Sequence, residues 1–422
     1  MTQDHPPRRW LRRTAVSMAT LLVATLGVTV SAPAAHAATI DDFTLSWTSY
    51  PAADAIPMVK ATMTAVLQDG NHTAAYRGSS CSNALGQSTP IAWYCFASTD
   101  SSSLRPGPDL DPTAWIPQAI TTVSDALGDE EWNGQQGLIV GWYHEGSSGA
   151  RISVMNTATD AYRHVLLANP YWDSALGRYN FRALNNLHVG GMVWYGDYLY
   201  VVDTNWGIRV FGMKHIYDLG ASTNGTTTCS GIGWVDTADA DAAPDSYCAS
   251  TYKYAMMQIG FWQRPTASNS ANFCLSSGAD PRFSYISLDR MAVPDRLIVG
   301  EYCPADAAVN GRLVAYNMTD HVPTNGVPDA AWNLPVSNIQ GAATNGINFY
   351  FNQSDGTTRN GNLYKALPSG STLNLNGSPR KTPIGPEDLS IWQSSGHLWS
   401  VTEHITSGSS PGRMIYLMPS IF

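Results

Sequence analysis

The chain has 422 residues, 24 Lys+Arg against 33 Asp+Glu, a formal net charge of −9 and only 14% charged residues. Such an acidic, lysine-poor chain is not expected to bind a nucleic-acid backbone or an anionic membrane surface. Its 36 glycines, 25 prolines, 14 tryptophans and 20 tyrosines suit a turn-rich all-β protein instead.

Residues 1–37 read as a signal peptide. Arg8-Arg9-Trp10-Leu11-Arg12-Arg13 is a basic region, Ala15 to Val30 an apolar run, and Ala35-His36-Ala37 a small-residue cleavage site. Its arginine pairs suit Tat as well as Sec export. The expected mature protein, residues 38–422, is one secreted, extracellular domain, a monomer with no second apolar run of membrane-spanning length. An even cysteine count in an exported chain favours disulfides. The simplest of the pairings closes nearest neighbours: Cys81–Cys95, Cys229–Cys248 and Cys274–Cys303. No Cys-x-x-Cys spacing points to zinc.

In chain order, Phe43 to Tyr50 reads as a lone strand. Met58–Gln68 and His72–Arg77 read as a hairpin about Asp69-Gly70-Asn71, and Ile91 to Ala97 as a further strand. Ser98 to Thr113 reads as a linker. A four-strand unit follows from Ile116, with Gly137–Tyr143, Ala150–Met155 and Tyr162–Leu167 as its later strands. The clearest unit begins at His188-Val189-Gly190-Gly191, turns at Gly196-Asp197, runs to Asp203, turns again near Trp206 and continues to Phe211. Its fourth strand is expected at Tyr254–Trp262, after an insertion spanning Leu219 to Ser250. Three more units start near Tyr285, Ile339 and Pro386, with second strands at Arg296–Glu301, Ile347–Phe351 and His397–Thr402.

Gln118, Gly190, Ile286, Gln340 and Glu387 occupy equivalent places, 72, 96, 54 and 47 residues apart, and a sixth anchor falls near Thr62. A period near 50 with four short strands per unit is the pattern of propeller blades. The expectation is an all-β propeller of six blades, with five or seven as near alternatives. The last unit lacks an outer strand, which Phe43 to Tyr50 would supply to seal the ring.

First strands of blades line the central channel, so their polar residues converge. Gln118, His188, Gln340, Glu387 and Asp388 are candidates, with Asp289 and Arg290 just beyond. Second-strand ends add Asp203, Glu301, Glu403 and His404. His188, Glu301 and Glu387 are the catalytic candidates, as general acid or base or as a histidine that takes a proton beside a uronic-acid carboxylate. The remaining residues, with Trp206 as an exposed stacking surface, are ligand-binding candidates. No cofactor motif is evident, and Ca²⁺ could bind the carboxylate oxygens. Nucleophile-elbow, P-loop, His-Glu-x-x-His and dinucleotide motifs are absent.

Ile116-Pro-Gln-Ala-Ile-Thr-Thr122, Gly149-Ala-Arg-Ile-Ser-Val154, Tyr162-Arg-His-Val-Leu-Leu167, His188-Val-Gly-Gly-Met-Val-Trp-Tyr195 and Ser287-Leu-Asp-Arg290 with Val299-Gly-Glu-Tyr302 carry a resemblance. From about residue 112 onward the chain resembles secreted actinobacterial proteins predicted to be β-propellers. That resemblance implies the fold and transfers no catalytic residue. The expected function is binding of an extracellular glycan or other small ligand at one channel mouth. A polysaccharide lyase or glycoside hydrolase on the same site and a protein-interaction scaffold are the alternatives.

Overall fold

The computed structural model describes residues 41–97, 109, 114–146, 149–235, 245–265, 272–276, 280–404 and 412–421. The expected signal peptide and most of the 98–113 linker lie outside these residues.

Among the described residues the strands pair into five blades. Blade 1 runs Trp115–Thr122, Gly137–His144, Ala150–Asn156 and Ala161–Asp173. Blade 2 runs Met192–Tyr195, Tyr198–Asp203, Gly207–Asp218 and Tyr254–Gln263. Blade 3 holds Phe283–Asp289, Arg296–Glu301, Arg312–Thr319 and Ala330–Asn333. Blade 4 holds Ile339–Thr344, Phe349–Gln353 and Asn360–Ser369, edged by Thr372–Leu375 and Arg380–Ile384. Blade 5 holds Pro386–Trp392, His397–Thr402 and Met414–Pro419, completed by Ala92–Cys95. The five first strands touch one another in turn, and Pro386–Trp392 returns to Trp115–Thr122, closing the ring. Among the described residues the ring therefore has five blades, one of the two neighbouring counts, where six were expected.

The sixth anchor fails for a local reason. Met63–Gln68 is a single helical turn and a half, capped by the Thr62 side chain, which accepts the Ala65 N–H. Met63, Val66 and Leu67 share one face of that helix and bury it against blade 1. The expected Met58–Gln68 strand and its hairpin are thereby replaced.

Ring closure also uses a different segment from the one expected. Ser46–Ser49 lies on the outer edge of blade 2, paired with Tyr254–Gln263, so Phe43 to Tyr50 does not close the last blade. Residues 41–97 form a strap around the propeller. Asp42 pairs with Arg312 of blade 3, Lys60–Ala61 adds to blade 2, His72–Thr73 adds to blade 1, and Ala92–Cys95 enters blade 5.

Second strands such as Gly137–His144 and Arg296–Glu301 are almost wholly buried on both faces. Stacked blades cover each sheet from two sides, which erases the polar–apolar alternation of a half-exposed strand. Where neighbouring first strands cross, only glycine fits. A Cβ on Gly190 would lie 2.2 Å from the Ser284 carbonyl oxygen, and one on Gly341 would lie 2.6 Å from the Glu387 carbonyl oxygen. All six cysteines are paired as Cys81–Cys95, Cys229–Cys248 and Cys274–Cys303, with Cα separations of 5.4, 5.9 and 5.6 Å. No helix among the described residues is long and apolar enough to cross a membrane.

Candidate functional site at the channel mouth

Four of the five first strands break register near their N-terminal ends. The irregularities fall between Pro117 and Ala119, Phe283 and Tyr285, Ile339 and Gly341, and Pro386 and Leu389. The residues skipped are Gln118, Ser284, Gln340 and the pair Glu387-Asp388. A bulged residue leaves the ladder and its side chain is re-aimed, which is how a regular blade can present polar groups to one spot. In blade 2 the same place is taken by the non-strand lead-in His188-Val189-Gly190-Gly191. Val189 there is buried at φ +55°, a conformation costing a β-branched residue about 1–3 kcal/mol.

These elements bring part of the predicted set together. Gln118 Nε2 donates to Glu403 Oε1 at 2.7 Å, and Gln340 Nε2 donates to Glu387 Oε1 at 3.2 Å. The Glu387 and Glu403 carboxyls are close enough to interact electrostatically. Burial, followed by the Glu403 charge and hydrogen bond, pushes the Glu387 carboxyl well above the ordinary glutamate value. His188 stacks at a tilt on Tyr143, ring centroids 4.3 Å apart. His188 is exposed by surface area, yet enough protein surrounds it to lower its pKa through desolvation, against the opposing pull of Glu403. Both hold for a ring on the wall of a concavity, open to water on one side. It is neutral near pH 7. The Tyr143 and Tyr302 hydroxyls are shifted upward first by burial and then by the two glutamates.

A repeated acid–arginine pairing explains why Glu403 differs from its counterparts. In blade 2, Asp203 ends the second strand and Arg209 in the third donates to it from Nε and Nη2, both at 2.8 Å. In blade 3, Glu301 receives Arg312 Nε at 2.8 Å and Nη2 at 2.9 Å, with the Arg282 and Arg312 backbone N–H groups. In blade 5, Arg413 turns to the carbonyl oxygens of Glu403 and Trp115. The Glu403 carboxyl then meets Gln118, Glu387 and, at 3.6 Å, His404 Nδ1. Asp203 and Glu301 are thus engaged by arginines of their own blades and stand apart from the glutamate pair.

The other candidates are placed elsewhere. Asp388 is fully buried, and its Oδ2 accepts the Met192 N–H at 2.9 Å and the Ile120 N–H at 3.3 Å, pinning the first strands of blades 1, 2 and 5. Asp289 and Arg290 sit at the far end of Phe283–Asp289, roughly 20 Å along the strand from the mouth. There Arg290 donates to the Asp125 carbonyl. Trp206 is 38% exposed in the turn between the second and third strands of blade 2. Arg282, Arg413 and Tyr302 were missed; the last two sit beside Glu403 and Glu301 in the repeat, which was the available signal.

His72, Asp109 and His164 also bring potential metal-ligand atoms within 4.8 Å of one another. Asp109 already accepts Arg151 Nη2 at 2.7 Å, His164 Nε2 at 2.9 Å and Tyr162 OH at 2.7 Å, while His164 Nδ1 meets Ser153 Oγ at 2.9 Å. Burial and the Arg151 charge lower His164 to about 4. A buried guanidinium in contact with the carboxylate opposes a second cation, so these groups form a hydrogen-bonded network inside blade 1.

The raised Glu387 gives a signed expectation. The folded state holds a proton that the unfolded chain releases above its ordinary value of 4.5, so stability falls as pH rises from there toward the folded pKa. Glu387→Gln is expected to flatten the fall in stability as pH rises above 4.5, with no loss at the acid end. Thermal melts of both proteins across that range check it; parallel profiles would assign the titration to another group.

No protein-family model and no curated protein sequence matches the chain. Solved structures to which it is similar include the Dos1 propeller, at 10% identity and TM-score 0.28 over 69% of this chain and 68% of that one. A GH43_1 enzyme from Xanthomonas citri gives 9% and 0.29 over 76% and 90%. The Cps50 (Swd1) β-propeller domain of Myceliophteria thermophila gives 9% and 0.31 over 77% and 92%. Likeness at these levels carries no argument about activity, and the propeller assignment rests on the closed ring of paired strands.

Proposed function

We propose that the protein is secreted and binds an extracellular carbohydrate at the mouth built by Gln118, His188, Gln340, Glu387 and Glu403. The observation that carries this is the set of equivalent strand irregularities, which presents two amides and two neighbouring carboxyls from three blades at one spot. Sugar hydroxyls both donate and accept, and this set offers both roles. The open side of His188, backed by Tyr143, offers a flat surface for a pyranose ring. Three disulfides fit an oxidising, extracellular setting.

A second reading, a polysaccharide lyase, is favoured by one observation: a neutral, water-accessible His188 beside Tyr143 suits a general base. The test is a glycan array with wild type, Glu403→Gln and His188→Ala, alongside assays for unsaturated products on uronate polymers. Binding in wild type that weakens at least about tenfold in Glu403→Gln supports the mouth. Absence of any glycan bound by wild type removes the carbohydrate reading, and binding indifferent to both substitutions moves the function to the loops.

A further inference from the structure

A second concavity lies on the face that carries the turns between first and second strands. Its volume is about 240 Å³, and its walls are Leu127, Trp132, Asn133, Gly196, Asp197 and His321. Three blades contribute: the loop after Trp115–Thr122, the first turn of blade 2, and the turn after Arg312–Thr319 of blade 3.

The walls are held in place before any ligand arrives. Trp132 and Gln135 exchange backbone hydrogen bonds of 2.8 and 3.2 Å around Asn133-Gly134, both with positive φ, which makes a tight turn. Glu130 ties the same loop to blade 5 by accepting Trp392 Nε1 at 2.7 Å and the Ser394 N–H at 2.8 Å. The Trp132 ring rests on buried Trp194 at 5.0 Å. Preorganisation of this kind lowers the entropy lost on binding.

His321 supplies a second, independent observation. Asp320 and His321 form a two-residue turn at φ +50° and +67°, where glycine or asparagine would be less strained. The ring stands edge-on to Tyr195 at 4.5 Å, and a Cβ on Gly196 would come within 3.0 Å of it. Strain kept at a cleft wall, where a smaller residue would relieve it, points to use of the side chain.

We propose that this cleft binds a single pyranose ring of an uncharged sugar, stacked against Trp132, with its hydroxyls meeting Asn133, Asp197 and His321. The volume falls below the roughly 300–1,000 Å³ of pockets for larger ligands and suits one six-membered ring. Asp197 is ion-paired with Lys214, so its charge is offset and the cleft favours a neutral ligand over a cationic one. Nothing in this assignment depends on the glutamate mouth.

The test is calorimetric titration of the full-length protein with methyl α-glucoside, methyl β-galactoside and methyl β-N-acetylglucosaminide. At least one should saturate in the millimolar range. His321→Gly should weaken that binding by about tenfold or more while the melting temperature holds or rises, because glycine accepts the left-handed turn. Trp132→Phe, which keeps an aromatic face, should weaken it less. Failure of all three sugars to saturate overturns the proposal, as does unchanged affinity in His321→Gly. A signal lost in Glu403→Gln but kept in His321→Gly would assign the sugar to the glutamate mouth and overturn it equally.

Discussion

Arg312→Met is expected to destabilise the folded protein by about 3–5 kcal/mol. Glu301 is 1% exposed, and Arg312 supplies three of the four hydrogen bonds its carboxylate receives. Removing the guanidinium leaves a buried charge with backbone donors only, and burial of an unpaired charge is among the costliest single changes a core can suffer. The substitution also releases Asp42, the first tether of the strap, from its 2.6 Å contact. Chemical denaturation of Arg312→Met, Glu301→Gln and the double variant checks the claim as a cycle. The double variant should recover much of the loss, since its remaining amide is neutral. A loss below about 1 kcal/mol in the single variant would mean that water reaches Glu301 and that it belongs with the channel groups after all.

Gly190→Ala should be comparably damaging, with a loss of about 3 kcal/mol or more. The added methyl would sit 2.2 Å from the Ser284 carbonyl oxygen and 3.1 Å from its carbon, all of it backbone of the neighbouring blade. No side chain can swing aside there, so relief requires two first strands to separate. Gly128→Ala is the control, because nothing lies within 4 Å of a Cβ at that position and its φ is ordinary. That variant should be neutral or stabilised by up to about 1 kcal/mol. Equal melting temperatures for the two would show that the first strands have slack between them.

What could be read from the sequence follows from the range of the forces involved. Arg296–Glu301 and His397–Thr402 were legible to the residue because short apolar runs between turns define them locally. The nearest-neighbour disulfides were legible for the same reason. Met63–Gln68 was not, since six residues show too little of a 3.6 period to be told from a strand. The choice between Ser46–Ser49 and Ala92–Cys95 as closing strand depends on pairing across most of the chain, and both are short β-rich segments with no local mark of partner. At the site, the starts of first strands pointed to Gln118, Gln340 and Glu387. The register breaks that aim them were invisible. Asp203 and Arg209 flank a short turn, and Glu301 and Arg312 flank the loop 302–311, so their pairing was within reach of a cross-strand reading.

The strap also sets an order of assembly. Ala92–Cys95 is synthesised before any blade, yet its partner Met414–Pro419 follows about 320 residues later, so this contact has one of the longest loops to close. Blades 1 to 4 can each pair their own strands as they emerge, while the first-made segment waits without its sheet. Only when Met414–Pro419 forms does Ala92–Cys95 find its partner, and the ring then locks its blades at once. A chain halted before residue 414 therefore keeps an open edge on blade 5.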